Sequence, residues 1–453
     1  MKELFGTDGI RGEVGVFPLT QEAVCAIGKS IGIWLKERCG QNREALKIVI
    51  AKDTRESGDE LERALLEGAH EEAITGIRLG TAPTPTVSYL TRALAAQLGV
   101  AISASHNPGS DNGIKFFDAQ GYKLFPQAEN EIAAIFFQLP PRKPTTKQRL
   151  ILEKEFDYFP RYLDFTKSIL ETTTLEGLTI VVDCAYGSFS QVAPRIFQEL
   201  GAKVIALHNT PDGTNINVNC GTLHPQALAQ EVIRNNADVG VAFDGDGDRV
   251  MLSDEKGVIL DGDHILAILG SYLQEEKRLN NNLIVSTQMS NIGLELFLEQ
   301  KGIRLFRASV GDKYVLEEML KQKASLGGEQ SGHIIFLEHT HTGDGLVAAL
   351  ELIKIMLKKK KPLSKLDQKF HQFPQLLVNI KVKEKTPFEL IAGFPEAAER
   401  YRKLLGKKGR LFIRYSGTEK LARIMIEGKN LAEIEQMAQT LAKIVQDAIG
   451  VKS

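Results

Sequence analysis

Val239-Gly240-Val241-Ala242-Phe243-Asp244-Gly245-Asp246-Gly247-Asp248-Arg249-Val250-Met251-Leu252 reads as an apolar strand, a glycine-spaced run of three carboxylates, and a second strand leaving the turn. Carboxylates at alternate positions repel one another unless a cation sits among them. A hard divalent ion such as Mg²⁺ takes oxygen ligands and keeps positions free for a phosphate oxygen, so the run points to phosphate chemistry. The two glycines let the backbone fold tightly around such an ion. A solvated acidic turn uses the same residue types. A calcium-binding helix-loop-helix fits loop positions one, three, five and twelve (Glu255), but Arg249 stands at position six, where that loop demands glycine.

The same grammar recurs outward from this stretch. Strand-like runs at Ile48 to Ile50, Thr179 to Val182 and Leu283 to Ser286 each precede a helical stretch and a later strand that delivers a Gly/Ser/Asp-rich loop, near Ser103, Asp244 and Gly327. Strand-helix alternation of this kind predicts α/β units with mixed, mainly parallel sheets and functional loops at the strand C-terminal ends. The last segment differs in kind. It predicts strands Leu411 to Arg414 and Arg423 to Glu427, then a helix opened by Asn430 with Glu433 three residues on and closed at Gly450. Boundaries are expected in Leu139 to Lys147, near the Asp261-Gly262-Asp263 turn and around Phe373-Pro374, where the pattern breaks.

A chain of 453 residues, 43% hydrophobic and 25% charged, carries enough core for two to four domains. Lys plus Arg (56) balances Asp plus Glu (57), so no global field recruits nucleic acid or an anionic membrane, and anion binding has to be local. The run Lys358 to Lys361, before Pro362, reads as charge at a helix C-terminus. Four cysteines without Cys-x-x-Cys spacing suggest reduced thiols rather than a disulfide framework or zinc site. The start, Met1 to Arg11, shows no apolar signal region and no stretch is long enough to span a bilayer, which predicts a cytoplasmic enzyme.

Other loops carry groups suited to the same chemistry. Ser103-Ala104-Ser105-His106-Asn107-Pro108 offers hydroxyls beside an imidazole where a strand ends, and Lys115 comes soon after in Asn112-Gly113-Ile114-Lys115. No Gly-x-Ser-x-Gly elbow supports a hydrolase triad. Gly327-Gly328-Glu329-Gln330-Ser331-Gly332-His333 sets a carboxylate, an amide and a hydroxyl where backbone can approach a polyhydroxylated ligand. Arg414-Tyr415-Ser416-Gly417-Thr418, with Arg423 beyond, gathers guanidiniums, hydroxyls and free amides into a phosphate nest. Phe5 to Gly12 adds a glycine-rich turn with Arg11.

Taken in order, FGTDGIRG (5–12), SASHNP (103–108), DNGIKFF (111–117), DGDGDR (244–249), GGEQSGH (327–333) and RYSGTE (414–419) resemble the α-D-phosphohexomutases nearly end to end. Gln330, Asn215-Ile216-Asn217 and Cys220-Gly221-Thr222 are most similar to the bacterial phosphoglucosamine mutase branch. The resemblance implies four domains around a central cleft: three related α/β units, 1–156 with the phosphoserine loop, 157–260 with the metal loop and 261–372 with the sugar loop, and a smaller α+β domain, 373–453, with the phosphate loop.

It also implies roles. Ser105 carries the phosphoryl group; Asp244, Asp246 and Asp248, with that phosphoserine, bind one Mg²⁺ per chain; His106, Lys115 and Arg11 surround the transferring group. Arg249 lies beside the carboxylates, Glu329, Ser331 and His333 grip the sugar, and Arg414, Ser416, Gly417, Thr418 and Arg423 hold its other phosphate. The implied reaction interconverts glucosamine 6-phosphate and glucosamine 1-phosphate through a 1,6-bisphosphate, primed by glucosamine or glucose 1,6-bisphosphate, and supplies UDP-N-acetylglucosamine synthesis. Phosphomannomutase or phosphoglucomutase activity and a metal-dependent sugar phosphatase are the alternatives. The expected partner is a phosphosugar, without nucleic acid or membrane, in a monomer or homodimer. One departure is Lys420, where the family usually has proline.

Overall fold

The structure, a computed structural model, describes residues 4–6, 8–39, 46–140, 155–171, 173–366, 370–416 and 419–451. Positions 141–147 of the expected first boundary, and the expected phosphate contacts Gly417 and Thr418, lie outside the described residues. Two compact units emerge, one of residues 1–287 and 306–368, the other of residues 288–305 and 369–453.

The first unit is built on strands β1 (Ile10–Glu13), β2 (Lys47–Lys52), β3 (Thr75–Thr81), β4 (Leu98–Ile102) and β5 (Asp111–Asp118), then β6 (Thr179–Asp183), β7 (Lys203–Leu207), β8 (Val239–Phe243), β9 (Val250–Ser253) and β10 (Ile259–Leu260). Strands β11 (Leu283–Thr287), β12 (Arg304–Ala308), β13 (Leu326–Gly328) and β14 (Ile334–Phe336) come next. The sheet orders are β1-β5-β4-β2-β3, β10-β9-β8-β6-β7 and β12-β11-β13-β14.

These orders contain one module used three times. In each, the first strand lies between the second and the third, the third runs parallel to the first, and the fourth returns antiparallel beside the third. The antiparallel return is a consequence of the short connection, because only an antiparallel neighbour is reachable by a tight loop. Each sheet is therefore mixed, with parallel pairing between its first and third strands and antiparallel pairing at its fourth. The three loops singled out in the sequence are the three connections between third and fourth strand, so equivalent points of one repeated topology carry the chemistry.

Central strands read as continuous apolar runs because helices cover both faces. In β8, Val239, Val241, Ala242 and Phe243 are all fully buried, each valine or phenylalanine contributing roughly 1.5–3 kcal/mol. That burial rigidly positions Asp244, the next residue. Asp261-Gly262-Asp263, expected as a turn, is a helix start: Asp261 caps helix Gly262–Glu275 by accepting from the Asp263 and His264 amides. Asp344 caps helix Gly345–Lys359 in the same way, and the basic run at 358–361 ends that helix, with Lys358 pairing Glu171.

The second unit carries the antiparallel sheet β15 (Gln375–Lys381), β17 (Leu421–Glu427) and β16 (Arg410–Tyr415), in that spatial order. Helix Leu431–Ile449 packs on it through buried Ile434, Ala438, Leu441, Val445 and Ile449. Its start is the expected one, Asn430 accepting from the Ala432 amide while its own amide donates to Glu433. Gly450 ends the helix with φ −64° and ψ 150°, an extended conformation that does not use glycine's left-handed freedom.

Candidate active site

β4 hands the chain to a loop whose backbone is strained at one residue. Ser105 has φ +54°, a left-handed conformation that costs a non-glycine residue about 1–2 kcal/mol. Its amide donates to Ser103 Oγ at 2.8 Å, and Ser103 Oγ donates onward to Asp53 at 2.6 Å. The Ser103 hydroxyl is thus committed on both sides. Ser105 Oγ instead donates to Asp244 Oδ2 at 2.6 Å and lies 3.4 Å from His106 Nδ1.

The acidic loop is buried throughout, and its three carboxylates present oxygens within 4.8 Å of one another. Asp244 Oδ1 accepts the Gly247 and Arg249 amides, both at 3.1 Å, which folds the loop around that carboxylate. Gly247, at φ +77°, passes against the Phe189 ring, where a side chain would collide. Lys115 Nζ reaches in from β5 to Asp246 at 2.6 Å and Asp248 at 2.9 Å, and Thr84 Oγ1 donates to Asp246 at 2.6 Å. Asp246 Oδ1 and Asp248 Oδ1 remain buried with no hydrogen-bond partner. Two orphaned anionic oxygens beside a third carboxylate form a donor set that fits a hard divalent cation.

Titration behaviour agrees with unbalanced negative charge. Burial, then Asp248 and Asp246, pushes the Asp244 carboxyl well above the usual range. Burial also opposes ionisation of Asp248, but Lys115, His333 and Arg249 outweigh it and hold that carboxyl down. Lys115 shows the converse: burial disfavours its ammonium, and the facing Asp246 and Asp248 raise it nonetheless. Burial with Arg249 and Arg11 nearby pushes His106 down to about 4, so its imidazole is neutral at neutral pH.

The Glu329 to His333 loop is docked on the acidic loop by backbone. The Val250 amide donates to the Gly332 carbonyl at 3.0 Å, and Arg249 and His333 form an antiparallel bridge. Gly332 sits at φ +91° where a Cβ would overlap the Val250 carbonyl. Glu329 accepts the Gly311 amide at 3.2 Å; burial raises its carboxyl above the ordinary range. Ser331 Oγ lies 3.5 Å from Glu329 Oε2. His333 Nε2 stands 3.3 Å from Asp312 and 4.0 Å from Asp248, without hydrogen-bond geometry to either.

Arg11 arrives on β1, whose register places it opposite Gly113 and beside the Lys115 strand; it pairs with Asp8, which also accepts from Lys123 at 2.5 Å. Lys123 pairs in turn with Asp312. Thr84, Asp8, Lys123, Asp312 and the pair Asp53 and Arg55 were not anticipated. Asp8 stood inside a quoted motif, and Asp53 to Arg55 come after β2 at the strand end where functional loops cluster, so both had a signal; Thr84, Lys123 and Asp312 had none. A second cluster, Asp183, His208 and Cys220, also converges, but Asp183 spends both oxygens on the Ala185 and Gly221 amides with His208 Nδ1 at 3.0 Å, a clasp for its own loops.

In the second unit, Arg414 and Arg423 face one another across β16 and β17 in direct register. Burial and the Arg423 charge depress the Arg414 guanidinium, and Arg423 pairs with Glu419 at 3.3 Å. Ser416 is buried, with its carbonyl held by Lys385 at 2.7 Å. Opposed guanidiniums on adjacent strands are groups suited to charge-assisted hydrogen bonds with an anion. Lys420, at the position of the usual proline, is exposed and its carbonyl accepts the Val382 amide.

The chain matches the phosphoglucomutase/phosphomannomutase alpha/beta/alpha domains I (residues 2–143), II (160–257) and III (261–373) and the C-terminal domain (377–444). It is 47% identical to a phosphoglucosamine mutase of Desulfovibrio desulfuricans over 98% of both chains, and 44% identical to one of Bdellovibrio bacteriovorus over 98% of both. Among solved structures it resembles a phosphoglucomutase/phosphomannomutase family protein of Burkholderia thailandensis (TM-score 0.80, 21% identity, 99% of each chain). It also resembles the Aspergillus fumigatus N-acetylphosphoglucosamine mutase solved with GlcNAc-6P and magnesium (TM-score 0.65, 16% identity, 93% of this chain and 96% of that one).

Proposed function

This chain belongs to the α-D-phosphohexomutase superfamily, in its bacterial phosphoglucosamine mutase branch, and from that premise we propose that it interconverts glucosamine 6-phosphate and glucosamine 1-phosphate through a phosphoserine and a 1,6-bisphosphate. The observation that carries the reading is the 2.6 Å hydrogen bond from Ser105 Oγ to Asp244, which joins the one hydroxyl aimed outward from its loop to the carboxylate cluster.

In this reading Ser105 stores the phosphoryl group, and Asp244, Asp246 and Asp248 with that group hold Mg²⁺. When bound, the ion neutralises phosphoryl oxygens as charge spreads over them. Lys115, kept cationic by Asp246 and Asp248, acts as a fixed charge. Neutral His106, its Nδ1 3.4 Å from Ser105 Oγ, is the acceptor within reach for the proton of the attacking sugar hydroxyl. Arg11 and Arg249 balance the phosphoryl charge. Glu329, Ser331 and His333 hold sugar hydroxyls and the amino group, while Arg414, Ser416, Gly417, Thr418 and Arg423 hold the non-reacting phosphate at either end of the sugar. The intermediate turns end for end, and its second phosphoryl recharges Ser105.

The reading gives the chain domains 1–156, 157–260, 261–372 and 373–453, carrying in turn the phosphoserine, metal, sugar and phosphate loops. It takes glucosamine or glucose 1,6-bisphosphate as primer and places the enzyme in the cytoplasm, where sugar phosphates arise. Among the described residues no helix is long and apolar enough to cross a membrane.

The test compares glucosamine, glucose and mannose 6-phosphates with Mg²⁺ and glucose 1,6-bisphosphate, while intact mass tracks the protein. Isomer formation fastest on glucosamine 6-phosphate, with one phosphoryl gained by the wild type and none by Ser105→Ala, is the expected result. Release of free phosphate without isomer indicates a phosphatase, and turnover by Ser105→Ala moves the carrier elsewhere.

A further inference from the structure

We propose that Arg55, with Asp53 and Ser103, is a positioning device that aims the Ser105 hydroxyl at the carboxylate cluster. The proposal rests on the phosphoserine reading above and names residues that it does not use.

The Arg55 guanidinium is fully buried and spends every nitrogen on the serine loop and its frame. Nε donates to Asp53 Oδ2 at 2.9 Å, Nη1 to the carbonyls of Pro108 and, at 2.8 Å, Asp111, and Nη2 to the carbonyls of Asn107 at 2.8 Å and Ser105 at 3.1 Å. Four carbonyls, those of Ser105, Asn107 and Pro108 in the loop and of Asp111 at the start of β5, are thereby held by a single planar fork with fixed donor directions. A lysine ammonium cannot reproduce that fan.

Asp53 ties this fork to the other side of Ser105. It accepts from Arg55 and from Ser103 Oγ, so the Ser103 hydroxyl proton is committed and its lone pairs face the Ser105 amide, 2.8 Å away. The Ser105 carbonyl takes a further donor from Asn217 Nδ2 at 2.9 Å. With the amide gripped by Ser103 and the carbonyl by Arg55 and Asn217, the peptide groups on both sides of Ser105 are pinned. That pinning keeps the residue at φ +54°, and the left-handed turn points Oγ toward Asp244. Arg55 acts through Ser105 and is not itself placed on a reacting atom.

The experiment uses full-length wild type, Arg55→Lys and Arg55→Met with two readouts. Amide hydrogen exchange over 103–111 reports the frame whatever the reaction. Loading from glucose 1,6-bisphosphate by intact mass, with kcat and KM on glucosamine 6-phosphate, reports its use. In Arg55→Met, exchange over 103–111 should rise roughly 10-fold while the β6 and β8 amides hold their wild-type rates. Loading and kcat should fall about 100-fold with KM within about threefold, and Arg55→Lys should fall between. Wild-type exchange over 103–111 in Arg55→Met overturns the proposal, as does a loss of activity matched by faster exchange across the whole first unit. A wild type that takes no phosphoryl removes the proposed function instead, and the exchange comparison still decides the frame.

Discussion

Ser105 and Asp244, 139 residues apart in the chain, meet through a 2.6 Å hydrogen bond between the third-to-fourth-strand loops of two copies of one module. The repeat explains the meeting. Each copy delivers its loop at the C-terminal end of a buried parallel strand, and the third copy adds Glu329 to His333 through the backbone bond from Val250 to Gly332.

Asp246 offers one oxygen to Lys115 and Thr84 and leaves the other orphaned, so Asp246→Asn should keep the fold and lose the ion. Apparent Mg²⁺ affinity should fall by at least about 10-fold, with a rate that excess Mg²⁺ restores only in part. Mg²⁺ titration of initial rates checks this, and an unchanged titration removes Asp246 from the ligand set.

Lys115→Met deletes the cation between two buried carboxylates. Breaking such a group should cost about 3–5 kcal/mol, and added Mg²⁺ should recover more melting temperature in the variant than in the wild type. Thermal unfolding with and without Mg²⁺ measures both, and equal Mg²⁺ responses would show that the lysine and the ion do not share these carboxylates.

Gly332→Ala puts a Cβ on the Val250 carbonyl at a positive φ. We expect a loss of about 1–3 kcal/mol and a raised KM as the sugar loop lifts from the acidic loop. Denaturant unfolding and steady-state kinetics test it; a silent substitution means the loop position is not held by that contact.

Arg414→Ala removes one of two opposed guanidiniums. KM should rise about 10- to 100-fold, as expected for a lost charge-assisted phosphate contact, and the salt sensitivity of kcat/KM should weaken. An unaltered KM would place the second phosphate elsewhere.

His208 is raised above the ordinary histidine value of 6.5, first by its hydrogen bond to Asp183. A raised histidine stabilises the fold fully below the unfolded value and loses that contribution as pH rises through the folded value. The melting-temperature deficit of His208→Gln should therefore be largest below pH 6.5 and shrink at alkaline pH. A deficit independent of pH would mean that the clasp works with neutral histidine.

Much of the site was legible in the linear chain. Strands such as Val239–Phe243 and the capped helix after Asn430 arise from local patterns, and Ser105, Lys115, Asp244, Asp246 and Asp248 stand in short motifs with the right residue types. Arg55 stood at a strand end where functional loops cluster, but its task was not legible, because it satisfies carbonyls of residues 105 to 111, and backbone carbonyls leave no mark in side-chain sequence. Lys123 and Asp312, 189 apart, and Thr84 and Asp246, 162 apart, lacked any local signature because each pair is made only by the fold.

By itself, the amino-acid order determined the features that periodicity and composition dictate: which segments become strands and helices, and which loops hold acids, hydroxyls and guanidiniums. Only tertiary structure decided which of those groups face one another, that Ser103 is locked while Ser105 is aimed, and which two carboxylate oxygens stay unpaired. Those outcomes depend on the burial and direction of individual atoms brought together by three-dimensional packing, and such closeness is not a property of any stretch of chain.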